Sequence, residues 1–102
     1  IAAVNGNVAV GRYALYTSTG AVDCIAIGRQ SMYSGNATQA GTVAIGKSAL
    51  TALTSGSGNV AIGYQAGMAA TDNLRNTVIG HGAYRYSTSS DDNVVIGYNA
   101  LR

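Results

Sequence analysis

The chain has 102 residues, a formal charge of +2, only 10% charged side chains with no Glu, and 47% hydrophobic residues with no Phe or Trp. Five Arg and one Lys scattered along the chain exclude a basic track for nucleic acid, and the aliphatic content excludes a disordered chain. No run of 18 apolar residues is present to insert in a membrane, and the single Cys24 excludes an intrachain disulfide. Residues 1–102 make one domain with a thin core, and the start at Ile1, close to a repeat, reads as a segment of a longer fibrous chain.

In chain order, one glycine recurs at Gly11, Gly28, Gly46, Gly63, Gly80 and Gly97, at intervals of 17 residues with one of 18. An apolar trio precedes each: Val8-Ala9-Val10, Ile25-Ala26-Ile27, Val43-Ala44-Ile45, Val60-Ala61-Ile62, Thr77-Val78-Ile79 and Val94-Val95-Ile96. Each trio reads as a minimal strand. Alternation puts its outer members on one face and its middle member on the other. Branched Val and Ile suit a packed interior, so the expected interior is theirs. The stripe Ala9, Ala26, Ala44, Ala61, Val78 and Val95 is then expected to face outward and meet other chains.

Three residues beyond each glycine stands Ala14, Ser31, Ala49, Ala66, Ala83 or Ala100, usually followed by a large apolar residue. A second short strand is expected there, with the glycine at the corner between the two. The rest of each unit is a polar loop, and the 18-residue interval places an insertion between Gly35 and Gly41. Helical repeats need units about twice as long. The expected fold is therefore all-β: a parallel β-solenoid of six coils of about 17 residues. The absence of Pro agrees with strands that must all donate their amides.

The strings Asn59-Val60-Ala61-Ile62-Gly63-Tyr64-Gln65-Ala66 and Asn93-Val94-Val95-Ile96-Gly97-Tyr98-Asn99-Ala100-Leu101 resemble the head repeats of trimeric autotransporter adhesins and, more closely, the repeats of phage tail fibres. The resemblance covers all six units. It implies a left-handed β-roll, three chains around one axis, and an extracellular setting on a virion tail fibre or a bacterial surface. Handedness comes from the resemblance alone.

For chemistry, Gly41-Thr42-Val43-Ala44-Ile45-Gly46-Lys47-Ser48 matches the P-loop string. Its middle is one of the six trios, and the position of Lys47 holds Arg12, Arg29, Tyr64, His81 or Tyr98 elsewhere, so nucleotide binding is not expected. Those six residues form a candidate surface ladder, able to take a host-surface glycan or to cover the corner. A second row, Asn7, Asn59, Asn76 and Asn93 with Cys24 and Thr42, reads as a stacking amide ladder. Cys24 has no nearby base, and His81 and the four Asp residues show no metal-ligand spacing. Asn36-Ala37-Thr38 is a chance sequon.

These readings point to a structural part without catalysis, cofactor or metal. The expected partners are two further copies of the chain and flanking fibre domains. The leading expectation is a shaft or spacer in a phage tail fibre. The alternatives are an adhesin head that binds glycan or matrix protein, and a filament subunit stacking end to end through its two uncapped ends.

Overall fold

A computed structural model describes residues 6–17, 20–34, 40–88 and 90–102. Six three-residue strands, β1 (Val8–Val10), β2 (Ile25–Ile27), β3 (Val43–Ile45), β4 (Val60–Ile62), β5 (Thr77–Ile79) and β6 (Val94–Ile96), form one parallel sheet in sequence order. The register joins every trio to the next, residue for residue, as in Val43↔Val60, Ala44↔Ala61 and Ile45↔Ile62. One turn of chain thus returns each strand beside its predecessor. The molecule is a β-solenoid. The central residues of the predicted insertion, 35–39, and with them the Asn36 sequon, lie outside the described residues.

The corner glycines before the last coil are held by two independent constraints, and Gly97 by the first alone. From Gly11 to Gly97 their φ angles run between 120° and 136°, a region closed to residues with a Cβ. In addition, a Cβ on Gly63 would stand 2.5 Å from the carbonyl oxygen of Gly80, and one on Gly46 equally close to that of Gly63. Glycine on glycine lets successive corners nest.

The strand faces are the reverse of those expected. Ala26, Ala44 and Ala61 are fully buried inside the coils, with Ala9, Val78 and Val95 nearly so, whereas the flanking Val and Ile residues are half-buried or exposed. The stripe Ala9, Ala26, Ala44, Ala61, Val78 and Val95 is therefore core and faces no other chain. Steric room explains the inversion. A coil of about 17 residues closes so tightly that the strand wall lies directly against the opposite wall, where Ser31, Ala49, Ala66 and Ala83 are also fully buried. Small side chains meet small ones across this lumen, and Met32, Leu50, Leu53 and Tyr84 fill its wider end.

That opposite wall is not the expected second strand. Ala49 and Leu50 are adjacent and both buried, which strand alternation forbids. The chain achieves it by left-handed backbone at every other residue: Ser48 and Leu50 have φ of 61° and 49°, and Gln30 and Met32 have 62° and 48°. Each such residue costs on the order of 1 kcal/mol. Hydrogen bonds between coils offset this, since Leu50 N donates to Ala66 O (3.0 Å) and Tyr84 N to Ala100 O (2.8 Å).

Within the lumen the Asn row works as a ladder. Asn59 Oδ1 accepts from Asn76 N (3.0 Å), and Asn76 Oδ1 accepts from Asn93 N (2.8 Å). Their Nδ2 groups tie down the loops, Asn59 to Asn73 O and Asn76 to Ser90 O. Asn7 does the same in the first coil, binding Ala21 O and receiving Cys24 N. The row is interrupted in coils two and three, where Cys24 and Thr42 lack the amide, and Thr42 Oγ1 is buried without a hydrogen-bond partner.

Candidate functional surface

Because the strand centres point inward, the sheet presents two outward columns. One is Val8, Ile25, Val43, Val60, Thr77 and Val94, and the other Val10, Ile27, Ile45, Ile62, Ile79 and Ile96. Five spacings of about 4.8 Å make the columns roughly 24 Å tall. Ile27, Ile62 and Ile79 keep 36–37% of their surface exposed even with coils above and below, and in the last coil Ile96 keeps 63%. Eleven of these twelve side chains are aliphatic, in one flat array. This surface went unpredicted because the branched residues were assigned inside.

Just past the corner, the ladder Arg12, Arg29, Lys47, Tyr64, His81 and Tyr98 is in register, as expected. Backbone bonds join its members through the next residue of each following coil: Gln30 N to Arg12 O, Gln65 N to Lys47 O, Gly82 N to Tyr64 O and Asn99 N to His81 O, all 2.8–2.9 Å. Tyr64 stacks on His81 at 4.8 Å between centroids and His81 on Tyr98 at 5.2 Å. Lys47 Nζ lies over the Tyr64 ring at 5.5 Å. Arg12 leans away onto Tyr13, its guanidinium 4.7 Å from the ring centroid and Nη2 3.2 Å from the hydroxyl. Arg29 is exposed.

Two further groupings escaped the sequence reading. Tyr13, Tyr16 and Tyr33 form an aromatic cluster, with Tyr16 and Tyr33 stacked at 5.4 Å; their 17-residue separation was the available signal. A row of left-handed residues, Gly6, Asp23, Gly41, Gly58, Arg75 and Asp92, precedes the Asn row by one position. There Arg75 grips Asp92 of the next coil in a fork, Nε to Oδ1 at 2.5 Å and Nη2 to Oδ2 at 2.8 Å. The guanidinium hydrogen bond and charge hold the Asp92 carboxyl below its ordinary pKa, and Asp92 raises that of Arg75.

The P-loop string is engaged otherwise. Val43–Ile45 is β3, and Val43 N, Gly46 N and Ser48 N donate to Asn59 O, Ile27 O and Arg29 O in neighbouring coils. These amides cannot cradle a phosphate. Cys24 is fully buried with Sγ 3.4 Å from Val22 O, and among the described residues no three His, Cys, Asp or Glu side chains converge on a metal-sized site. Among the described residues no helix is long and apolar enough to cross a membrane. Compared with known proteins, the chain matches no family model, no curated protein and no solved structure.

Proposed function

We propose that this chain is a structural, self-associating segment of an extracellular fibre, a shaft or spacer of the phage tail-fibre kind, in which three copies meet through their outer Val and Ile columns. The observation that carries the reading is the outward aliphatic array from Val8 to Ile96. A flat apolar face of this extent is unusual on a surface that stays in water, and chain association is the common way to cover one. The lumen, filled mostly by Ala, contributes little burial by itself, so covering this face adds what the core lacks. Three copies, in preference to two, follow from the resemblance to trimeric fibre repeats. An end-stacking filament would use the two ends of the solenoid and leave this face uncovered, so the lateral array favours association side by side.

The test is mass in solution, by light scattering and native mass spectrometry. The wild-type chain is expected at three times its monomer mass. Ile45→Gln with Ile62→Gln should shift it to monomer, while Tyr16→Ser should leave the trimer. A stable wild-type monomer at high micromolar concentration overturns the proposal.

A further inference from the structure

We infer that the corner ladder is a binding strip for a linear anionic polysaccharide lying parallel to the stacking axis, its acidic groups on Arg12, Arg29 and Lys47 and its hydroxyls on the edges of Tyr64, His81 and Tyr98. The inference needs only the stacked coils and stands whether or not the chains associate through the sheet.

The first observation is an uncompensated charge row. Arg12, Arg29 and Lys47 occupy one position in three successive coils, held in register by the bonds from Gln30 N to Arg12 O, Ser48 N to Arg29 O and Gln65 N to Lys47 O. Like charges in neighbouring strands of a ladder repel. Among the described residues none of the three is ion-paired: the one salt bridge joins Arg75 to Asp92, and the other Asp residues belong to the loop side of the coil. Arg12 turns aside onto Tyr13 and Lys47 onto Tyr64, so the guanidinium and ammonium groups find ring faces where no carboxylate is offered. The fold does not require cations here, since Tyr64, His81 and Tyr98 fill the same position in the next three coils. Ring faces offset the repulsion only in part, and a like-charge row that no carboxylate neutralises among the described residues marks a surface used for something else. Anions on a ligand supply the missing countercharge.

The second observation selects the kind of anion. The rings of Tyr64, His81 and Tyr98 stack on one another at 4.8 and 5.2 Å, so apart from the terminal face of Tyr98 their faces are taken and their polar edges remain. A single-stranded nucleic acid is held by free aromatic faces on which bases stack, and three cations are few for a polyphosphate. Hydroxyl and imidazole edges repeating once per coil suit a partner with a hydroxyl-bearing ring at each step. An extended chain of acidic sugars has that character, advancing by about one ring per coil at a spacing near that of stacked strands, about 4.8 Å.

The experiment titrates the intact chain with polygalacturonate oligosaccharides at low salt. Amide chemical shifts map the site, dextran oligosaccharides serve as the neutral control, and an oligothymidylate serves as the alternative polyanion. The expected result is saturable binding with the largest shifts at Arg29, Lys47, Tyr64 and His81, weakening as salt rises. Arg29→Gln with Lys47→Gln is expected to weaken it by roughly tenfold or more, from two lost charge-assisted contacts. Tyr64→Ser should weaken it a few-fold, and Arg102→Gln should have no effect. Arg29→Lys with Lys47→Arg keeps the charges and should bind, and amide shifts of the Gln variant that match wild type away from the ladder show that its loss of binding is not a folding artefact. No binding of polygalacturonate, equal binding by the Gln variant, equal binding of dextran, or tighter binding of oligothymidylate at matched charge would each overturn the inference.

Discussion

The first three coils and the last three share one backbone but solve its polar problems differently. In the C-terminal half Asn59, Asn76 and Asn93 form an unbroken amide ladder, Tyr64, His81 and Tyr98 stack, and Arg75 pairs with Asp92. In the N-terminal half the corresponding rows hold Cys24 and Thr42, with an orphaned hydroxyl on Thr42, and three cations that have no ion pair among the described residues. Coil geometry therefore does not depend on these rows. It depends on the glycines and the small lumen, which both halves share, and the rows are free to set local stability and surface chemistry.

If the lumen is the shared determinant, the largest effect should follow from overfilling it. Ala44→Gln places a long amide where Ala44 has no exposed surface, and both overpacking and unsatisfied burial act, at several kcal/mol together. Ile62→Gln, on the half-exposed outer column, should cost about 1 kcal/mol in a single chain, and more where association covers that face. Chemical denaturation of both at low protein concentration checks the pair. Equal destabilisation would mean that the strand faces are wrongly assigned.

This reversal of faces also marks where sequence reading reached its limit. The 17-residue glycine spacing made the solenoid legible, because a repeated residue at constant interval has few other causes, and the in-register ladder followed directly. Which face of a three-residue strand turns inward was not legible. Three residues give too little alternation to read, and the rule that large aliphatics go inside fails when the lumen is one small side chain wide. The left-handed wall at Ser48 and Leu50 was hidden for a related reason: non-glycine residues hold positive φ there through hydrogen bonds to neighbouring coils, which no local sequence preference reports.

The corner separates two constraints that the coils otherwise combine. Gly63→Ala meets both a φ of 136° and the Gly80 carbonyl, whereas Gly97→Ala meets a φ of 132° and only a van der Waals contact with Ala100 Cβ at 3.6 Å. The first should cost roughly 3 kcal/mol or more, and the second about 1–2 kcal/mol. Thermal unfolding of the two variants measures the difference, and similar losses would mean that nesting of the corners adds nothing to the dihedral strain.

The amide ladder gives the direct comparison between halves. Asn76→Ala leaves Asn93 N without its acceptor and removes one of the donors to Ser90 O, which still accepts from Asn73 Nδ2, for an expected loss of about 2 kcal/mol. Thr42→Val removes a hydroxyl that has no partner, and should be neutral or stabilising by up to about 1 kcal/mol. A large loss for Thr42→Val in denaturant titration would show that its hydroxyl is satisfied in solution.

The smallest effect concerns the Arg75–Asp92 fork, the one ion pair that the C-terminal half has and the N-terminal half lacks among the described residues. Asp92 is held below its ordinary pKa first by the hydrogen bond from Arg75 and then by its charge. A carboxylate with a lowered folded pKa contributes stability that is fully present above its unfolded value, near 4, and is lost as pH falls through the folded one. Arg75 stays protonated throughout, so Asp92 alone titrates the pair. Both side chains are more than half exposed, and water and salt weaken the attraction. Arg75→Gln should therefore lower the melting temperature at pH 7 by less than any destabilising substitution above, and the difference from wild type should diminish as acid protonates Asp92 in the folded state and shrink in 1 M salt. A deficit that persists unchanged into acid would assign the role of Arg75 to packing of its aliphatic stem against the loop, with the ion pair contributing nothing.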